Sequence, residues 1–71
     1  DALHKLYALT PAEAGVAIGL VNGLSLSQIS ATNKVSIETV RSQLKNIFVK
    51  MGVKKQQDVV RILLSGIFKI K

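Results

Sequence analysis

Residues 25–52, reading SLSQISATNKVSIETVRSQLKNIFVKMG, hold two helices and the turn that joins them. Ser25 is a good N-cap. Gln28, three positions on, completes a capping box in which each side chain satisfies the other residue's backbone N–H. The short helix opened there is anchored by Ile29 and reaches Thr32 or Asn33. Lys34 and Val35 lead to Ser36, a second capping residue. From Ile37 to Met51, apolar side chains fall at Ile37, Val40, Leu44, Ile47, Phe48 and Met51. Their spacing of three and four follows one face of an α-helix. Glu38, Arg41, Ser42, Lys45 and Val49 fall on the other face, and Gly52 ends the helix.

Working outward, Thr10-Pro11-Ala12-Glu13 starts an earlier helix. Thr10 caps it, Pro11 takes the first helical position where no N–H is needed, and Glu13 bonds back to the cap. An almost wholly apolar run ends at Asn22-Gly23, which predicts a helix over 11–22. Gly15, Gly19 and Gly23 lie four apart on it. The uncharged run is too short to span a bilayer, which takes about 20 residues, so the stripe predicts close packing by a second helix. After a Lys54-Lys55 loop, a last helix is predicted over 56–64, carrying Val59, Val60, Leu63 and Leu64, with Ser65-Gly66 breaking it. Leu3, Leu6 and Leu9 suit a short extra turn near the start, and the tail 67–71 alternates apolar and basic residues. No strand pattern occurs. The expectation is one all-α domain over 1–71, a four-helix arrangement with its core at about 9–64.

The chain contains no cysteine, so neither disulfides nor thiolate metal sites are available, and the core must come from packing. It has the material: 48% of the residues are hydrophobic. The lack of cysteine and of a signal-peptide pattern fits the cytoplasm. His4 is the only histidine, and the four acidic residues are scattered. No nucleophile and base, paired carboxylates, metal-ligand cluster or phosphate-cradling glycine loop can be assembled, which argues against an enzyme and against a cofactor.

Charge is distributed unevenly. Residues 1–33 carry one lysine against Asp1 and Glu13, whereas 34–71 carry nine basic residues against Glu38 and Asp58, within a net charge of +6. Positive charge gathered in one half points to a polyanionic partner. A short helix, a tight turn and a longer helix with one basic face form the helix-turn-helix arrangement, whose second helix enters the DNA major groove. The N-terminus at Ser36 offers unpaired N–H groups to a phosphate. Arg41 has the donor geometry to grip guanine O6 and N7, and Lys45, one turn on, shares its face.

The blocks Leu9-Thr10-Pro11-Ala12-Glu13, Gly23-Leu24-Ser25, Gln28-Ile29, Val35-Ser36, Thr39-Val40-Arg41, Asn46-Ile47-Phe48 and Lys50-Met51-Gly52-Val53 together resemble the LuxR-type helix-turn-helix domain, also called NarL/FixJ or GerE. The resemblance covers about residues 9–64. It implies a four-helix domain at the C-terminus of a longer bacterial transcription regulator, consistent with a chain that does not begin with Met. It also implies homodimers on inverted-repeat DNA, with the last helix contributing to the contact and RNA polymerase a further candidate partner. Val59, Val60, Leu63 and Leu64 each suit the core individually, but one helix cannot turn all four inward, so part of this stripe is expected to form a dimer patch. Carried over residue by residue, it makes Arg41, Ser42 and Lys45 base-contacting. Ser36, Thr39, Gln43, Lys50, Lys54 and Lys55 become phosphate-contacting, and Val40 packs at the groove-facing end of its helix. Three positions depart from the pattern: Gln28 replaces a usual Glu, Asn33 a usual apolar residue, and Gln43 a frequent His. A second reading, a small helical module that binds an acidic protein partner, is compatible with the same fold. A third, an amphipathic helix on an anionic membrane surface, has only the tail 67–71 in its favour.

Overall fold

The computed structural model describes residues 8–69, with side chains through Ser65. It contains helices α1 (Pro11–Val21), α2 (Leu26–Asn33), α3 (Ile37–Met51) and α4 (Gln56–Lys69), and no strand among the described residues. The three N-caps are those read from the sequence. Thr10 with Glu13, and Ser25 with Gln28, form complete capping boxes, and Ser36 accepts from the Thr39 N–H.

α1, α2 and α3 end the same way. In each case the backbone turns left-handed and the next N–H reaches back five residues: Leu24 to the Gly19 carbonyl, Val35 to Ser30, Val53 to Phe48. Gly23 and Gly52 take that conformation without a Cβ penalty, but α2 uses Lys34, at φ 58°. The connection between α2 and α3 is therefore Lys34, Val35 and Ser36, a three-residue turn.

Helix α1 packs against all three other helices, and α2 also packs against α3. Its centrality follows from its composition: Ala14, Val16, Ala17, Gly19 and Leu20 are all buried, and a helix apolar nearly all round must be covered on most sides. With Leu9, Ile29, Val40, Leu44, Ile47, Val59 and Leu63 they form one core. The stripe predicted for α3 divides as the periodicity implies. Val40, Leu44 and Ile47 are buried and Phe48 and Met51 half-buried against the core, while Glu38, Arg41, Ser42, Lys45 and Val49 are exposed.

The structure corrects two expectations. Helix α4 runs through Ser65-Gly66 to Lys69 instead of stopping at 64. An interior glycine costs about 1 kcal/mol of helix propensity, but termination takes a left-handed turn or a proline, and neither follows here. Val59 and Leu63, expected in a dimer patch, are 0% and 3% exposed in the domain's own core. The four-residue step between them turns both toward α1, leaving Val60 half-buried and Leu64 exposed. The extra turn expected from Leu3 and Leu6, and the last two residues of the tail, lie outside the described residues.

The glycine stripe has unequal members. A Cβ on Gly19 would lie 2.7 Å from Cγ1 of Ile29, which is fully buried, whereas one on Gly15 would meet only the Asn33 amide at 3.7 Å. Gly19 thus lets α1 and α2 approach, and Gly15 contributes nothing comparable. Gly19→Ala is expected to cost about 1–3 kcal/mol through overpacking. Gly15→Ala is expected to gain up to about 1 kcal/mol from helix propensity. Urea unfolding of the two variants checks this, and a shared sign would mean that the α1–α2 contact is not as tight as described.

Candidate nucleic-acid interface

The exposed face of α3 is fixed by the buried one. Val40, Leu44 and Ile47 dock into the core, and Ser42 and Val49, about two turns apart, point away from it with Glu38 and Lys45 close to their line. Arg41 lies at the flank of the stripe. Arg41 and Lys45 have no ion-pair or hydrogen-bond partner among the described residues. The helix also starts in the open: Ser36 and Thr39 are exposed, with Ser36 Oγ accepting from the Thr39 N–H at 3.1 Å and sharing a hydrogen bond with Thr39 Oγ1 at 2.9 Å. Lys54 and Lys55 are exposed in the loop before α4. Gln43 stands apart from the stripe. It is half-buried and lines a recess with Pro11, Ala12, Gly15, Asn33 and Val35, at the seam between α3 and α1.

Lys50 departs from the expected phosphate set. Its Nζ donates to Glu13 Oε1 at 2.6 Å and to the Ala8 carbonyl at 3.2 Å. Two of its three donors are committed and its charge is neutralised within the fold. Glu13 is the most informative residue that the sequence reading assigned only in part. Besides closing the cap on Thr10, it is the one charged residue buried among those described, 5% exposed. No local pattern links positions 13 and 50, which only the packing of α1 against the last turn of α3 brings together. Gln28, where the family pattern expects an acid, is exposed and makes only its capping contacts.

Burial pushes the Glu13 carboxyl up. The Lys50 ammonium, through its hydrogen bond and its charge, together with the Thr10 backbone and hydroxyl hydrogen bonds, outweighs that, and the net value lies below the ordinary 4.5. Arg61 and Asp58 form a second, exposed ion pair at 3.4 Å on α4, where solvent screens it.

Residues 7–63 match the family of bacterial regulatory proteins, luxR family (GerE). The chain belongs to that family. LuxR-family helix-turn-helix domains bind double-stranded DNA in transcription regulation, and they are regulators, not enzymes. The all-α architecture and the blocks read from the sequence are those of this family. The curated proteins and the solved structures yield no match. Among the described residues, no group of His, Cys, Asp or Glu could hold a metal ion, and no helix is long and apolar enough to cross a membrane.

The Glu13–Lys50 pair predicts an acid limb in stability. Because the folded-state carboxyl titrates below its unfolded value, its contribution is fully present above about pH 5 and is lost as pH falls through the lowered value. Glu13→Gln, which keeps an oxygen for the cap, is expected to lose about 1–2 kcal/mol at neutral pH and to flatten that limb. Denaturation midpoints between about pH 3 and 7 check it, and an unchanged pH profile in the variant would remove Glu13 as the titrating group.

Proposed function

We propose that this LuxR-family domain reads operator DNA by laying α3, about residues 36–51, in the major groove. Arg41, Ser42 and Lys45 meet base edges, while Ser36, Thr39, Lys54 and Lys55 hold the flanking phosphates. The observation that carries the reading is the exposed stripe of α3, whose two cations have no internal partner among the described residues. A planar, five-donor guanidinium at Arg41 suits the guanine O6 and N7 pair. Gln43, half-buried at the seam between α3 and α1 and apart from the stripe, is kept in the phosphate set as a contact at the edge of the interface. Lys50 is left out of it, since releasing that ammonium would strand a buried carboxylate.

The dimer is proposed to form on an inverted repeat through the part of α4 that the core leaves uncovered. Among the described residues its apolar members are Leu64, 38% exposed, and the outer side of Val60, which is half-buried against the core. RNA polymerase as a further partner, and residence in the cytoplasm, belong to the same reading.

Selection of the chain on a random duplex library at two salt concentrations tests the whole proposal. The expected result is enrichment of an inverted repeat with half-sites about one helical turn apart. Binding without enrichment would reduce the interface to its electrostatic part, and no duplex binding at low salt would favour the protein-interaction module. Arg41→Ala is expected to cost about 1–3 kcal/mol and to relax preference at one base pair. Lys54→Ala is expected to weaken all sequences alike and lower the salt slope by about one. Lys50→Met is expected to leave that slope unchanged. Affinities across a salt titration separate the three.

A further inference from the structure

Val49 is 76% exposed, the largest exposure of any large apolar side chain described. It does not belong to a wider apolar patch on its own helix: the other exposed positions of α3 are Glu38, Thr39, Arg41, Ser42, Lys45, Asn46 and Lys50. Nothing in the fold calls for it there. A β-branched residue on an exposed helix face is a poorer helix former than Lys, Glu or Ala. A lone exposed valine is in itself ordinary, and its position is what distinguishes this one. It lies seven residues after Ser42 and four after Lys45, on the side of α3 opposite Val40, Leu44 and Ile47. That is the stripe that faces DNA under the proposed function, on which this inference rests.

We propose that Val49 is a specificity-determining residue whose methyl groups pack against the C5-methyl of a thymine in the major groove. The thymine methyl is the one apolar group that a base pair displays there. A side chain without donors or acceptors can discriminate only through it. The stripe then offers a cation at Lys45 and an apolar contact one turn further along. Four residues rise about 6 Å along a helix, against about 3.4 Å per base pair along the DNA axis, and a helix in the groove runs oblique to that axis, which separates the two contacts by about one to two base pairs. Lys45 and Arg41 are drawn to guanine and Val49 to thymine, so the half-site combines guanines at one end with a thymine at the other.

Uracil supplies a direct probe, since it pairs like thymine and lacks only the methyl. Duplexes enriched from the random library are resynthesised with deoxyuridine at each thymine of the half-site in turn. Their affinities are measured for the unaltered chain and for Val49→Ala. At one position, about one to two base pairs from the guanine whose preference Lys45→Ala relaxes, uracil is expected to weaken the unaltered chain about fourfold, the worth of one buried methyl group. Val49→Ala is expected to bind the thymine and uracil duplexes equally there, the signature of a coupled pair. Circular dichroism shows whether the variant keeps the fold, and Val49→Ser, which puts a hydroxyl in place of the methyl pair at the same exposed site, is likewise expected to bind the two duplexes equally. If uracil weakens both proteins alike, or weakens neither, the proposal is overturned while the α3 reading stands. If the library yields no sequence enrichment at all, the α3 reading fails and the role of Val49 fails with it.

Discussion

Helix α1 touches each of the other helices, and its apolar surface is what makes that possible. Only at Gly19 is the backbone bare enough for Ile29 of α2 to settle against it. Leu44 and Ile47 of α3 and Val59 and Leu63 of α4 complete the same core. In a domain this small no other centre is available, because the remaining helices each have one apolar face and need a common surface to bury it against. The outward angle of α3 is therefore a consequence of how α1 is covered. The half of the chain that carries little charge builds the scaffold, and the basic half displays itself on it.

Much of this was legible in the sequence because caps and periodicity are local. Thr10, Ser25 and Ser36 mark three helix starts through side chains that bond three residues away. Gly23 and Gly52 mark two ends through a backbone conformation that other residues resist. The three-and-four spacing from Val40 to Ile47 separates a buried face from an exposed one with no knowledge of the partner helix. Where the reading fell short, the missing information was tertiary. Periodicity shows that Val59 and Leu63 share an apolar face, but whether that face meets α1 or a second protomer depends on where α1 lies. Lys50 looks like any other exposed lysine on α3 until α1 brings Glu13 beneath it. The end of α4 was misjudged for a third reason: Ser65-Gly66 lowers helix propensity, and propensity alone does not terminate a helix.

Glu13 joins two parts of the molecule. Its carboxylate closes the cap of α1 and holds the last turn of α3, so the N-terminus of the scaffold and the C-terminal end of the helix that carries Arg41 and Lys45 are tied at one point. The pair is expensive to break because one partner is buried and the other is its only ion-pair partner among the described residues. It also divides the lysines of α3 by role: Lys50 secures the helix from behind, and Lys45 is left free in front.

The hydroxyls of Ser36 and Thr39 sit 2.9 Å apart, and either can donate to the other. One hydrogen is used in that bond, so the second hydroxyl always has a hydrogen to spare. Exchanging the roles takes only rotation about two C–O bonds, with no movement of a heavier atom. A phosphate arriving at the start of α3 would thus find a donor whose carbon framework is already immobilised by the helix cap. Binding an anion there would forfeit very little rotamer freedom. The same serine that tells the chain where to begin its helix leaves the start of that helix prepared for an anion.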